Sequence, residues 1–198
     1  MTDGNAYSGR KIVMTLMMII LIAGIAAGTG LYSDNSGIAA SVSGLLTTDG
    51  SSYEVGAAVS RSVFGTAVFI AAVFFLGFGT VFQPLVAAVV LFRGIGTGAL
   101  LSHLYALAVN GGGGAAAMLA VSVCEAAVGS FILAAAAAEA VLFSGQCARV
   151  MFFSGGAVIR PMPDVRLYLA RFAVFAVGAV ICSCVCGVAH AAVSVYLL

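Results

Sequence analysis

Two acidic residues within apolar sequence are the first candidates for chemistry. Glu125 and Glu139 lie in the run from Ala115 to Phe143, which contains no other charged residue. A carboxylate within a membrane is costly and is therefore a functional candidate by default. Fourteen residues separate the two, close to four helical turns, so they face roughly the same way on a helix. We expect Glu125 near the membrane midplane and Glu139 near the cytoplasmic end.

His103 lies near the middle of the preceding apolar run. A contact between Glu125 and His103 would resemble a proton relay, or it would be a structural pair that holds two helices together. Glu139 could instead pair with Arg149 or Arg93 at the cytoplasmic surface. Arg93 itself could bind a lipid phosphate or a partner protein, or it could be a snorkelling anchor that fixes a turn.

The remaining chemistry-bearing residues predict no catalytic or metal site. Cys182, Cys184 and Cys186 resemble a metal cluster, but residues two apart do not share a helix face. We interpret them as small buried side chains. No His-Glu-x-x-His, Gly-x-Ser-Gly, Walker-type loop or membrane-buried Asp occurs. We therefore expect no catalytic residues, no metal, no cofactor and no enzymatic activity.

Composition identifies the environment of these residues. The chain has 198 residues, of which 63% are hydrophobic and 8% are charged, whereas soluble domains have roughly 25% charged residues. Most of the chain must therefore face lipid, as in a polytopic membrane protein. The net charge of +1 and the scattered basic residues do not suggest nucleic-acid binding.

Apolar runs predict an all-α protein with five transmembrane helices in a single membrane domain, residues 1–198. The expected spans are 12–31, 63–82, 94–109, 115–143 and 172–196. A cleaved signal peptide is the competing interpretation of the first run. An outer polar segment, 32–60, and a cytoplasmic loop, 144–171, connect the spans. Within that loop Pro161 and Pro163 interrupt helix formation.

Pro84 predicts a separate short helix. Proline fits the first turn of a helix and disfavours helix in the residue before it, so Phe82 and Gln83 are expected to form a turn. The helix 84–93 is too short to cross a bilayer and ends at the charge of Arg93. We therefore predict an interfacial or re-entrant helix at 84–93. In the next span, Gly94 and Gly98 have the spacing that permits close helix packing.

The basic residues predict the orientation. With five spans and a cytoplasmic N-terminus, seven of the eight basic residues are cytoplasmic and only Arg61 is outside, as the positive-inside rule requires. The expected localisation is a multi-pass protein of the cell membrane with an extracytoplasmic C-terminus.

The central stretch from Phe75 to Tyr105 resembles the stage II sporulation protein M family. The resemblance rests on PLVAAVVLFRGIGTG: Pro84, an apolar run, Phe92-Arg93-Gly94 where the family commonly has Lys in place of Arg, and Gly98. The overall layout of the chain is also similar.

The resemblance implies a non-enzymatic membrane scaffold of forespore engulfment during sporulation. Its partners would be peptidoglycan hydrolases resembling stage II sporulation proteins D and P, besides membrane lipid, and a homo-oligomer is compatible with it. Pro84, Arg93, Gly94, Gly98, His103, Glu125 and Glu139 are the structural or partner-binding candidates. The alternative function is a small transporter or permease subunit that uses Glu125 and His103 in the membrane.

Overall fold

Five α-helices make up the part of the chain that the computed structural model describes, residues 3–34, 55–111, 113–152 and 164–197. They are α1 (Asp3–Asp34), α2 (Val55–Gly77), α3 (Gln83–Gly111), α4 (Gly113–Phe152) and α5 (Val165–Leu197). The described residues contain no strand. The fold class is therefore all-α. Most of the predicted outer segment, residues 35–54, lies outside the described residues, as do residues 153–163 of the predicted loop.

Four of these helices are long and apolar enough to cross a membrane. The segments are Gly9–Tyr32, Gln83–Asn110, Ala116–Met151 and Val165–Val193. The apolar part of α2, Val63–Gly77, is shorter than the roughly 20 residues that a spanning helix needs. The length and hydrophobicity of these helices are typical of a membrane protein. The chain has four or five crossings, depending on whether α2 spans the membrane.

Consecutive helices run in opposite directions around a central α4. Arg171 of α5 contacts Glu139 of α4, and His190 of α5 contacts Ser122 of α4. Residue numbers therefore rise along α5 as they fall along α4, so these two helices are antiparallel. The glycine pairs of α1 and α3, by contrast, advance together along both chains, so these two helices are parallel. Helix α4 packs against each of the other four. Its alanine-rich middle, residues 134–140, is almost completely buried.

One end of the bundle carries the basic side chains of Arg10, Lys11, Arg149, Arg166 and Arg171, and we refer to it as the basic end. The turn between α2 and α3 lies here. The Ser144 hydroxyl donates to the carbonyl of Gly79 over 2.7 Å, and the Tyr168 hydroxyl donates to the carbonyl of Phe74 over 3.0 Å. The Tyr168 bond satisfies one of the carbonyls that the end of a helix leaves without partners, and the Ser144 bond ties α4 to the turn that follows α2.

The short helix predicted for residues 84–93 is not observed as a separate element. These residues form the first part of α3, which continues without a break to Gly111. Pro84 lies in its first turn, where a missing N–H is tolerated, and the turn before it covers residues 78–82. The glycines after Arg93 do not end the helix because their backbone packs directly on α1.

Helices α4 and α5 extend further into the predicted cytoplasmic loop than their apolar runs suggested. Helix α4 continues to Phe152, and α5 begins at Val165 rather than Phe172. The Asp164 carboxylate accepts hydrogen bonds from the backbone N–H groups of Arg166 and Leu167. This is an N-cap, which starts a helix irrespective of hydrophobicity.

The closest helix–helix contact joins α1 to α3 through four glycines. Gly24 lies against Gly94, so a Cβ at Gly24 would be 2.6 Å from the Leu91 carbonyl oxygen and 3.1 Å from the Gly94 Cα. One turn further along, Gly28 lies against the Ile95 carbonyl and Gly98 against the Ile25 carbonyl. The predicted close packing at Gly94 and Gly98 is thus present, and small residues at such crossings let helix backbones meet in lipid.

Candidate functional site

Glu139 joins three helices at the basic end. Its carboxylate binds Arg10 of α1 and Arg171 of α5, the latter with a distance of 2.6 Å between Nη1 and Oε2. The Glu139 side chain is 6% exposed, whereas those of Arg10 and Arg171 are 49% and 41% exposed. Neither Arg149 nor Arg93, the partners considered from the sequence, forms this bridge. We call Arg10, Glu139 and Arg171 the ion triad.

Five aromatic rings pack at the same end of the bundle. Tyr168 lies between Phe74 and Phe143, with ring centroids 5.5 Å and 4.1 Å away and nearly parallel planes. Phe78 and Phe172 complete the cluster in tilted or edge-on contacts. Because aromatic pairs add stabilisation beyond their buried area, this cluster holds α2, α4 and α5 together in one arrangement.

Arg93 lies within α3 and not at a helix end. It is ten residues beyond Gln83, which places it about 15 Å along the helix axis. Its Cζ lies 5.2 Å from the ring centroid of Phe69 on α2, and its charge interacts with that of Glu125 on α4. An arginine at this depth is costly unless it is paired, and here the face of the Phe69 ring offsets part of that cost.

Glu125 lies next to His190 of α5. The distance from Glu125 Oε2 to His190 Nδ1 is 3.8 Å. The same ring contacts the Cys186 carbonyl through Nδ1 and the Ser122 hydroxyl through Nε2, both over 2.9 Å. Because a carbonyl only accepts, Nδ1 must carry a proton, and in the neutral ring Nε2 then accepts from Ser122. The ring orientation is therefore fixed from both sides.

Arg93, Glu125 and His190 form what we call the intramembrane cluster, contributed by α3, α4 and α5. Glu125 is 22% exposed and His190 is 28% exposed, so both are more accessible than Glu139. Proton exchange and binding of a small polar ligand are the chemistry that such a cluster can support.

The relay considered between Glu125 and His103 is replaced by two separate contacts. His103 shares a hydrogen bond of 3.3 Å with the Tyr32 hydroxyl of α1, and Glu125 lies 3.8 Å from His190 of α5. An open cavity of about 600 Å³ lies beside Tyr32 and is also lined by Thr29, Ser102 and Tyr105. Residue spacing did not reveal His190 as the partner because the rotation of α5 relative to α4 is a tertiary property.

Two of the three cysteines of α5, Cys182 and Cys186, lie on the same face of the helix. Cys186 is close enough to Cys182, Cys124 and Glu125 to interact with them electrostatically. The spacing of four, which the sequence interpretation did not use, brings residues to the same side of a helix. All five cysteines are free thiols. Within the described ranges, no three His, Cys, Asp or Glu side chains are arranged to hold a metal ion.

The chain matches no family model, no curated protein and no solved structure in the three comparisons made. The resemblance to the stage II sporulation protein M family therefore depends only on the residues from Phe75 to Tyr105 and on the layout of the chain.

Proposed function

We propose that this protein is a non-enzymatic membrane scaffold that holds partner proteins at the membrane. The observation that carries the proposal is the use made of the polar side chains within the bundle. Glu139 bridges three helices, Ser144 and Tyr168 bind the end of α2, and Ser122 fixes His190. Such bonds hold helices in one arrangement, which is what a scaffold requires.

The outward surfaces of α2 and α5 supply area for partners. Large apolar side chains such as Phe75, Val177 and Val185 are 69%, 58% and 63% exposed. In a bilayer these surfaces meet either lipid or another apolar helix, and association there is driven by packing and not by the hydrophobic effect. A partner with a membrane anchor fits this surface better than a soluble protein does.

We propose five crossings with a cytoplasmic N-terminus. The antiparallel packing of α2 on α5 supports a crossing for α2, since its 23 residues are about 34 Å long. The gathering of Arg10, Lys11, Arg149 and Arg171 at one end agrees with the positive-inside rule. An N-terminal fluorescent fusion and a C-terminal phosphatase fusion test this: both should be active, whereas an inactive phosphatase would contradict five crossings.

The narrower form of the proposal is that the partners are peptidoglycan hydrolases of forespore engulfment. It is supported by the resemblance around Pro84, Arg93 and Gly98. Those residues have structural roles that a family motif would keep: Pro84 opens α3, and Gly98 packs on α1. Deletion of the gene in a spore-forming source organism should then block engulfment, and normal sporulation of the deletion strain would contradict this narrower form.

Site-specific photo-crosslinking combined with mild-detergent purification tests the scaffold. A photoreactive residue at Phe75 or Val177 should yield adducts with a membrane-anchored protein, identified by mass spectrometry. The matched control is Val73, which lies on α2 with Phe75, is completely buried and should yield no adducts. Recovery of peptidoglycan hydrolases at the exposed positions supports the proposal, while adducts with lipid alone at every exposed position would overturn it.

A transporter or permease subunit is the second candidate, because of the intramembrane cluster. Glu125 and His190 lie 3.8 Å apart between α4 and α5, and the charge of Glu125 acts on that of Arg93 on α3. Side chains of this type mark substrate or proton pathways in membrane proteins. A transporter subunit would co-purify with an ATPase or a soluble binding protein in place of hydrolases.

Flux in proteoliposomes tests this candidate. Solute or proton flux that is lost in Glu125→Gln and kept in His103→Gln would favour transport, since His103 contacts Tyr32. Equal flux in both variants and the unaltered protein would assign the flux to something other than the intramembrane cluster.

A further inference from the structure

The ion triad has an arrangement that its structural role does not fully explain. Arg10 and Arg171 belong to α1 and α5, which do not touch each other within the described ranges and which both flank α4. Two guanidinium groups from separated helices therefore converge on a single carboxylate. A bridge between α4 and either neighbour would need only one of them.

The charges of the triad do not balance. Two arginines and one glutamate leave a net charge of +1 at the point where α1, α4 and α5 meet. The surrounding basic end adds Lys11, Arg149 and Arg166, all exposed. Among the acidic side chains described there, Asp164 is engaged by the N-terminal N–H groups of α5. The local field therefore favours an additional anion.

The arginines also have unused donors. A guanidinium carries five N–H groups, and Glu139 offers only two oxygens for both residues. Nearly half of the Arg10 and Arg171 side-chain surfaces remain exposed while Glu139 is buried. The carboxylate thus holds both guanidiniums at one point, while a large part of each arginine side chain stays accessible. The planar fork of arginine matches a phosphate bidentately.

We propose that Arg10 and Arg171 together bind the phosphate of an anionic lipid headgroup at the basic end of the bundle. The site lies where the helices leave the apolar part of their sequence, the depth at which headgroups are found. Glu139 is the positioning residue: it holds the two guanidiniums at one point and does not contact the phosphate. Inorganic phosphate offers the same chemistry, so the experiment has to distinguish the two sources.

Native mass spectrometry of the purified protein in neutral detergent tests the proposal. Phosphatidylglycerol and phosphatidylcholine are added at equal concentration, and inorganic phosphate is tested separately through its effect on thermal stability. We expect retained phosphatidylglycerol, no comparable phosphatidylcholine, and no stabilisation by phosphate alone. Equal retention of the two lipids would overturn the site, and stabilisation by inorganic phosphate without retained phosphatidylglycerol would overturn the lipid assignment.

Arg10→Gln should weaken phosphatidylglycerol binding about tenfold or more, the loss of one charge-assisted pair. The matched control is Arg149→Gln, which removes an exposed arginine on α4 about 15 Å from Glu139 along the helix and should change binding less than about twofold. Equal losses in both variants would mean diffuse attraction to the basic end and would overturn the proposal.

Arg10→Gln and Arg171→Gln each leave the buried Glu139 with one arginine fewer, so a second variant is needed that keeps the charges balanced. The double variant Glu139→Gln with Arg171→Gln removes one charge of each sign and keeps the net charge of the chain. It should remain folded and lose selective phosphatidylglycerol binding. Full binding in a folded double variant would show that the two arginines do not act together and would overturn the site.

Discussion

The two glutamates of α4 have the same side chain and opposite surroundings. Glu139 is 6% exposed and bound by two arginines, whereas Glu125 is 22% exposed and lies 3.8 Å from His190. About 21 Å of one helix separates them. The basic end is held by charge and stacked rings, and the other half of the bundle depends more on glycine contacts between α1 and α3.

The difference shows two ways of joining helices where lipid surrounds them. Burying a carboxylate requires good geometry and several donors, and the ion triad meets that requirement. Small residues need no charge and gain from close backbone packing. Glu125 and His190 also connect α4 to α5 but are more exposed than Glu139, so they are more accessible to a ligand.

Gly28→Leu is the change with the largest expected effect. A side chain there overlaps the backbone of Ile95, which should cost about 3 kcal/mol or more because backbone cannot move aside as a side chain does. Gly30→Leu is the control on the same helix, since nothing lies within 4 Å of its Cβ position. Thermal unfolding in detergent measures both, and equal melting temperatures would contradict glycine packing in this half of the bundle.

Glu139→Ala should rank next, with a loss of about 2–3 kcal/mol. Breaking a buried ion pair costs up to about 5 kcal/mol, and the half-exposed arginines reduce that because water can solvate them. Glu125→Ala should cost less than half as much, as its partner is further away. Unfolding of the two variants in parallel provides the comparison, and an equal or larger loss for Glu125→Ala would reverse the contrast drawn between the two ends.

Tyr168→Phe isolates the hydrogen bond of the aromatic cluster. The ring stacking stays, but the Phe74 carbonyl loses its 3.0 Å donor, which should cost about 1 kcal/mol. Tyr168→Ala is the companion variant and should cost more than Tyr168→Phe, because the buried ring is also removed. Equal melting temperatures of the two variants would show that ring stacking does not stabilise the basic end.

His103→Phe should have the smallest effect. It removes one half-exposed hydrogen bond to Tyr32, 3.3 Å long, and such bonds in membranes average about 0.6 kcal/mol. The edge-on aromatic contact with Tyr32 is retained by Phe. Tyr32→Phe should give the same small shift in melting temperature. A loss several times larger in His103→Phe alone would assign His103 a role beyond this pair.

Parts of this architecture could be predicted because they depend on local sequence. Long apolar runs gave the helices their approximate positions, and Pro84 correctly indicated a helix start. The prediction of a helix end at Arg93 was wrong. It rested on a lone charge followed by glycines, but α3 continues through these residues. The end of α4 was also missed, and so was the start of α5, which the Asp164 cap places within polar sequence.

Sequence alone determined that this chain is all-helical, with helices apolar enough for a membrane and two carboxylates about four turns apart on one of them, because hydrophobicity and helical period act locally. Only the tertiary structure decided that Glu139 binds Arg10 and Arg171, that His190 faces Glu125, and that Gly24 meets Gly94. Those pairings depend on the rotation and depth of each helix relative to its neighbours. Rotation and depth are set by the packing of all the helices together, so no single stretch of sequence encodes them.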